Sequence, residues 1–160
     1  VTSKEEVGFR VECEVGGENQ DTDYFYVKAN GNVVRVNVTR KQFYEHSSPQ
    51  GSFSNVAINH LSSARKIVVS PKFNVKNMSG KDCTLVFFLL DSNGEVVNDP
   101  EESAKEFSPT SNSYSNTLMS ATIDYGVLHI SNISGYTIGC ALYDNENDAY
   151  FSVSDQKKVH

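Results

Sequence analysis

The chain has 160 residues, nine phenylalanines, eight tyrosines, no tryptophan and a formal net charge of −6. A domain of that length buries about 70% of its unfolded surface and needs neither metal nor disulfide to hold together. The acidity argues against nucleic acid or an anionic lipid surface as partner, since both are held by a basic face, and no apolar run approaches the roughly 18 residues of a membrane-spanning segment; the longest, Leu85 to Leu90, has six.

Val7 to Val15 alternates, with Phe9, Val11, Cys13 and Val15 on one side of a strand. Gly16 to Asp23 is polar and reads as a turn. DYFYVKA-NG-NVVRVNV then reads as a hairpin, because Asn30-Gly31 supplies the positive φ values of a two-residue type I′ turn. That turn would set Val27 opposite Val34 and Phe25 opposite Val36. Thr39-x-x-Gln42 has the pattern of a capping box for one helical turn before Pro49. The Ser- and Gly-rich stretch 46–55 is the best candidate for a boundary or linker.

Phe53 to Asn59 is the next strand, followed by IVVSPKFNV, which puts Ile67, Val69, Phe73 and Val75 on one face. Pro71 has no N–H to give a ladder, which moves that strand toward a sheet edge or a bulge. Met78-Ser79-Gly80 is a turn. TLVFFLLD is apolar on both faces and reads as a central strand. Asn93-Gly94 closes a second hairpin that would pair Leu90 with Val97. Asp99-Pro100-Glu101-Glu102 is a helix start, with proline at the first helical position. The helix is expected to end near Phe107-Ser108-Pro109, and a Ser/Asn/Tyr-rich loop to fill 110–116. Leu118 to Asp124, Tyr136 to Tyr143 and Tyr150 to Ser154 complete the strands. Many short strands without a long helix predict an all-β, antiparallel two-sheet sandwich, immunoglobulin-like or related, with one short helix. The expected organisation is one closely coupled unit over 1–160, in which 1–50 adds a hairpin region to a main sandwich over 51–160.

Cysteines stand at 13, 83 and 140, at spacings that match no zinc signature. They read as three buried thiols or as one disulfide plus a free thiol. Three N-x-S/T triplets, at Asn37, Asn77 and Asn132, carry little weight in a chain so rich in Asn, Ser and Thr. The opening VTSKEEVG lacks methionine, and with the composition it suggests export to the periplasm or cell surface after loss of a leader.

No G-x-S-x-G elbow is present. Of the four histidines at 46, 60, 129 and 160, His129 in VLHI reads as a hydrogen-bonded sheet residue. A Cys83–His60 dyad is the remaining nucleophile–base pairing, against the plainer reading of Cys83 as the first residue of an apolar strand. These features predict no enzymatic activity and no cofactor. Asp144, Glu146 and Asp148 alternate like the first half of a calcium loop, but Ala149 stands where an EF-hand needs glycine. The alternatives left are a looser calcium site and a solvated hairpin turn. Tyr114, flanked by Asn112 and Asn116, combines an amphipathic ring with adaptable amides, a mixture found in binding loops. Tyr24 and Tyr26 alternate with Phe25 and Val27, so they form a second candidate surface for a protein or glycan ligand.

From about 51 to 153, the pieces GSFSNVAINH, IVVSPKFNVKNMSGK, VFFLLDSNGEVVND and IDYGVLHI resemble a bacterial β-sandwich module of gut-type anaerobes. There it is appended to zinc-ribbon, kinase or peptidase-like domains. Here Asp124-Tyr125 replaces the Pro-Tyr of that family, and 99–108 replaces its glycine-containing hairpin. The resemblance implies a non-catalytic accessory or binding module of an exported or cell-envelope protein. The alternative is a structural subunit of a surface assembly, joined to its neighbours by edge-strand pairing.

Overall fold

A computed structural model of the chain describes residues 5–15, 18–29, 33–39 and 48–160. The chain divides into two compact units, Val1–Ser48 and Pro49–His160. The boundary falls inside the stretch expected as a linker, although most of that stretch, from Gln50 on, is strand. Among the described residues, no helix is long and apolar enough to cross a membrane.

The first unit is an antiparallel sheet of β1 (Glu5–Val15), β2 (Glu18–Ala29) and β3 (Val33–Asn37), in that order. The expected turn over Gly16 to Asp23 is corrected. Val15 pairs with Glu18, so Glu18 to Asp23 is strand, drawn into the ladder by the eleven residues of β1. Val11, expected on an apolar face, is 52% exposed. The hairpin register is also corrected. Ala29 pairs with Val33, which leaves three residues in the connection rather than two. Every pair therefore moves by one, and Phe25 faces Asn37 while Val27 faces Arg35. The Arg35 guanidinium lies 3.9 Å from the centre of the Phe25 ring and 3.6 Å from an Asp23 carboxylate oxygen. The Asn30-Gly31 turn, the expected cap beyond Thr39 and His46 lie outside the described residues.

The second unit is an antiparallel two-sheet sandwich. One sheet has β4 (Gln50–Leu61) beside β5 (Lys66–Lys76), whose other side takes β8 (Ser113–Asn116) and β9 (Ala121–Asp124). The other has the order β11 (Ala149–Val153), β10 (Thr137–Asp144), β6 (Cys83–Leu90), β7 (Lys105–Phe107), with β12 (Lys157–Lys158) also on β10. The core between them is made by Ile67, Val69, Phe73 and Val75 of β5 against Leu85, Phe87 and Leu89 of β6 and Ile138, Cys140 and Leu142 of β10, with Met78 filling one end. The alternation expected for β5 and the central place expected for β6 both hold. β6 lies between β10 and β7 and is buried along most of its length, with the short helix Pro100–Ser103 packing beside it.

Pro71 does not mark an edge. It sits in β5, the middle strand, opposite Val56. On its far side β9 pairs with Lys66 to Val69 and β8 with Phe73 to Lys76, so Pro71 falls in the gap between those two strands. No partner strand there asks for the missing N–H.

The helix is shorter than expected. α1 spans Pro100–Ser103, with the Asp99 side chain accepting from Glu101 N at 3.0 Å. It stops because the edge of β6 captures Lys105 to Phe107 as β7. Further along that edge Asn98 acts as a strand substitute: its side chain takes Leu89 N at 2.7 Å and gives to Phe87 O at 3.0 Å. The second hairpin also has a three-residue connection, so Leu90 bridges Val96 rather than Val97. Asp91 causes this by accepting Asn93 N and Glu95 N through its carboxylate, while Gly94 closes the turn at φ +83°. A turn followed by a left-handed residue is the three-residue alternative to type I′. The loop expected over 110–116 contains β8, which pairs with Phe73 to Lys76.

Cys83 and Cys140 are free and fully buried, on adjacent strands but out of register, facing Asp144 and Phe87 respectively. The Cys13 side chain lies outside the described residues.

Candidate functional site

The register of three strands builds a cleft at one end of the sandwich. Phe107, Cys83 and Asp144 form a row across β7, β6 and β10. One step beyond that row stand Ser108, Asp82 and Asn145, and one step before it on β7 stands Glu106. Asp82, Glu106, Phe107, Ser108 and Asn145 line a cleft of about 310 Å³. Ser108 Oγ donates to Asp82 Oδ1 at 2.7 Å, Asn145 N donates to Asp82 O at 3.1 Å, and Thr84 Oγ1 donates to Asn145 Oδ1 at 2.8 Å. These bonds fix Asp82 and Asn145 in the lining, with Asp82 Oδ1 taken by Ser108, while Phe107 supplies the apolar part of the wall.

The field at this end is negative. Desolvation by burial, reinforced by Asp144, Asp82 and Glu146, pushes the Cys83 thiol up to about 11. Burial pushes the Cys140 thiol up to about 12, against a smaller opposing effect of the Ser154 hydroxyl. Both stay protonated at neutral pH and are poor nucleophiles.

Asp144 is the anchor of the β10–β11 turn and is only 2% exposed. Burial alone would raise its pKa, but hydrogen bonds from the Asn147 side chain at 2.7 Å and from Asn147 N and Glu146 N at 3.2 and 3.0 Å together hold it below the usual carboxylate range. A group depressed in the folded state stabilises the fold above its unfolded pKa, near 4, and loses that contribution as pH falls through the lower folded value. D144N is therefore expected to cost about 1–3 kcal/mol at pH 7. The gap to the wild type should narrow steadily below pH ~4. Urea denaturation of both proteins at pH 7 and at progressively lower pH checks this, and a gap that stays constant with pH would refute it.

The calcium-like carboxylates have separate partners. Asp144 is committed to the turn, Glu146 lies 3.8 Å from Lys81 Nζ, and Asp148 accepts the Tyr143 hydroxyl. That last bond, before any effect of burial, raises the Tyr143 pKa. Among the described residues, no three His, Cys, Asp or Glu side chains are gathered so as to hold a metal ion.

Tyr114 stands in β8 opposite Val75, half-buried, and stacks on Phe107 at 5.8 Å. Its hydroxyl accepts from Asn116 Nδ2 at 2.9 Å, and Asn116 Oδ1 accepts Leu118 N and Met119 N. Asn112 O accepts Asn77 N at 3.1 Å. Tyr114, steadied by Asn116, backs the cleft through Phe107, while Asn112 ties its loop to Asn77. Tyr24 is half-buried in β2, opposite Arg10, and Tyr26 pairs with Gly8 and Val36, its side chain lying outside the described residues.

His129 is not a sheet residue. It lies exposed in the turn after β9, at φ +58°, where Asp124 Oδ1 accepts Gly126 N and Val127 N. His60 and Cys83 have other partners than each other. Nδ1 of His60 meets the main-chain oxygen of His160 at 2.9 Å and Nε2 meets the Tyr125 hydroxyl at 2.8 Å, while Cys83 Sγ points to Lys81 O at 3.8 Å. A main-chain oxygen only accepts, so Nδ1 carries the proton of neutral His60 and Nε2 accepts from Tyr125.

Asp82, Glu106, Ser108 and Asn145 gave no signal in the sequence, since they are isolated polar residues at or beside the ends of three strands, β6, β7 and β10. No protein-family model matches the chain, and comparison with curated proteins likewise finds no match.

Proposed function

We propose that the chain is a non-catalytic binding or accessory module of an exported or cell-envelope protein, and that the cleft at the end of its sandwich takes a glycan. The observation that carries this reading is the lining itself. Two carboxylates and a hydroxyl accept hydrogen bonds from sugar hydroxyls, the Asn145 amide donates to sugar oxygens, and Phe107 gives an apolar patch. The cleft is at the small end of ligand sites, which run from about 300 to 1,000 Å³, and suits one or two sugar units rather than a long chain. Its residues lie on strand ends braced by Ser108, Thr84 and Tyr114, a rigid mounting that lowers the cost of binding. The resemblance to an appended bacterial module supports the accessory-module reading and leaves the ligand open.

The test is a screen of the whole chain against immobilised bacterial and host glycans, followed by calorimetry on each hit. D82A, E106A and N145A should each weaken a genuine hit about tenfold or more, because each removes a hydrogen bond to a desolvated group. All three positions are exposed, so the melting temperature should hold. The absence of any hit, or hits indifferent to all three substitutions, would remove the proposal.

A further inference from the structure

Strand β4 is twelve residues long and, among the described residues, pairs only with β5. One hydrogen bond shows which way its main chain faces: Lys157 Nζ donates to Val56 O at 2.9 Å. The Val56 carbonyl therefore points away from β5. In an antiparallel ladder, pairs that exchange hydrogen bonds alternate with pairs that do not. Val56 opposite Pro71 is thus a non-bonded pair, as a proline requires. On the neighbouring β5 residue, Lys72 O is turned back toward β4, where the Ser54 hydroxyl reaches it at 3.3 Å. The same alternation turns the N–H and C=O of Ile58 and His60 outward. Between the irregular register at Phe53/Asn55 and the 3-10 turn at Ser62–Ala64, residues 56–60 are regular strand with an outward-facing edge.

Natural edge strands are guarded against pairing by charges, prolines or bulges within them. β4 carries no charged residue and no proline, its irregularity at Phe53/Asn55 lies before residues 56–60, and the side chains of Ala57 and Asn59 are small and exposed. The cation that reaches its edge, Lys157, comes from β12. Beside Phe53 to Val56 runs a groove of about 200 Å³ whose other wall is Ser154 to Lys157, with Asp155 and Lys157 giving it one charge of each sign. Copies of a chain with net charge −6 repel one another, and the uncharged outer edge of β4, whose groove carries one acid and one base and whose β5 neighbours include Lys66 and Lys72, is where that repulsion is weak.

We propose that β4 pairs antiparallel with β4 of a second copy, about a twofold axis at Ile58, joining the two sheets into one. Val56 then faces the partner's His60, Ile58 faces the partner's Ile58, and each of these pairs exchanges main-chain hydrogen bonds. Lys157 gives up the Val56 carbonyl as the strands meet. The pairing is isologous and closes at two copies. It stands independently of the glycan cleft, at other residues.

The experiment is sedimentation velocity of the whole chain from micromolar to millimolar concentration, with amide hydrogen exchange at Ile58. A monomer–dimer equilibrium is expected, with protection of the Ile58 amide rising with concentration. The double variant A57K/N59K places lysine opposite lysine across the axis and should be monomeric throughout with its melting temperature kept. K157A frees the Val56 carbonyl and should tighten the dimer about 2- to 10-fold. A wild type that stays monomeric at millimolar concentration overturns the proposal. So do a dimer that survives A57K/N59K, an open ladder of larger species, or a K157A variant that dimerises no better than the wild type.

Discussion

Phe73→Ala is expected to destabilise the Pro49–His160 unit by about 3–5 kcal/mol, the cost of removing a fully buried aromatic ring. Phe73 is 1% exposed and sits at the middle of β5. Its ring centre lies 6.0 Å from that of Phe53 on the neighbouring strand and 5.4 Å from that of Phe107 in the other sheet. It therefore connects the two layers, and Phe107 in turn carries Tyr114. Deleting the ring loses its transfer free energy and leaves a cavity between close-packed neighbours that relax only in part. Phe73→Leu keeps most of the volume and should cost about half as much or less. Calorimetric melting of both variants gives the comparison. A loss below about 1 kcal/mol for Phe73→Ala would mean the ring is not where the two sheets meet. Because Phe107 lines the cleft, Phe73→Ala should also weaken any glycan bound there, an effect that Phe73→Leu should largely spare.

Gly51→Ala is expected to cost about 1–3 kcal/mol although it adds one methyl group and keeps an ordinary strand backbone. The methyl carbon would lie 2.7 Å from Leu142 Cδ1, 2.8 Å from Ser152 Cβ and 3.0 Å from Phe151 Cε2. Two of those neighbours are held by the β10–β11 ladder, and Leu142 is fully buried, so none of them moves aside cheaply. Here β4 of one sheet crosses close to β11 of the other. Alanine would instead be mildly favourable in an open strand, since glycine gives up more chain entropy on folding. The sign of the change in melting temperature therefore decides whether the close approach exists: a rise, or no change, would refute it.

Much of this architecture is legible in the residues themselves. Ile67, Val69, Phe73 and Val75 alternate, and the apolar side of β5 is where the alternation puts it. Leu85 to Leu90 is apolar throughout, and its strand is flanked on both edges. Asp99 caps the helix that Pro100 begins. The turns are set by more than their two central residues. Both Asn-Gly pairs fit a two-residue turn, yet both hairpins have three-residue connections. In the second the reason is visible: the Asp91 carboxylate captures two turn amides. That local hydrogen bonding shifts the whole register by one, because side chains alternate with a period of two.

The candidate binding loop shows the same division. Tyr114 and Asn116 have the composition of a contact surface, but β5 had a free edge beyond Phe73 and took them as β8, turning the tyrosine ring onto Phe107. The calcium-like spacing of Asp144, Glu146 and Asp148 falls on a turn in which each carboxylate has a partner of its own. What sequence alone determined is what depends on a residue and its near neighbours: alternation, apolar runs, caps, the all-β class and the short helix. Tertiary structure decided what depends on which strand edge is free to pair. That includes the end of α1 where β6 recruits β7, the tolerance of Pro71 opposite a gap, and the meeting of Asp82, Glu106, Ser108 and Asn145. Those four are separated by up to 63 positions along the chain, and they share a cleft because the ladders β7–β6 and β6–β10 bring the strand ends level.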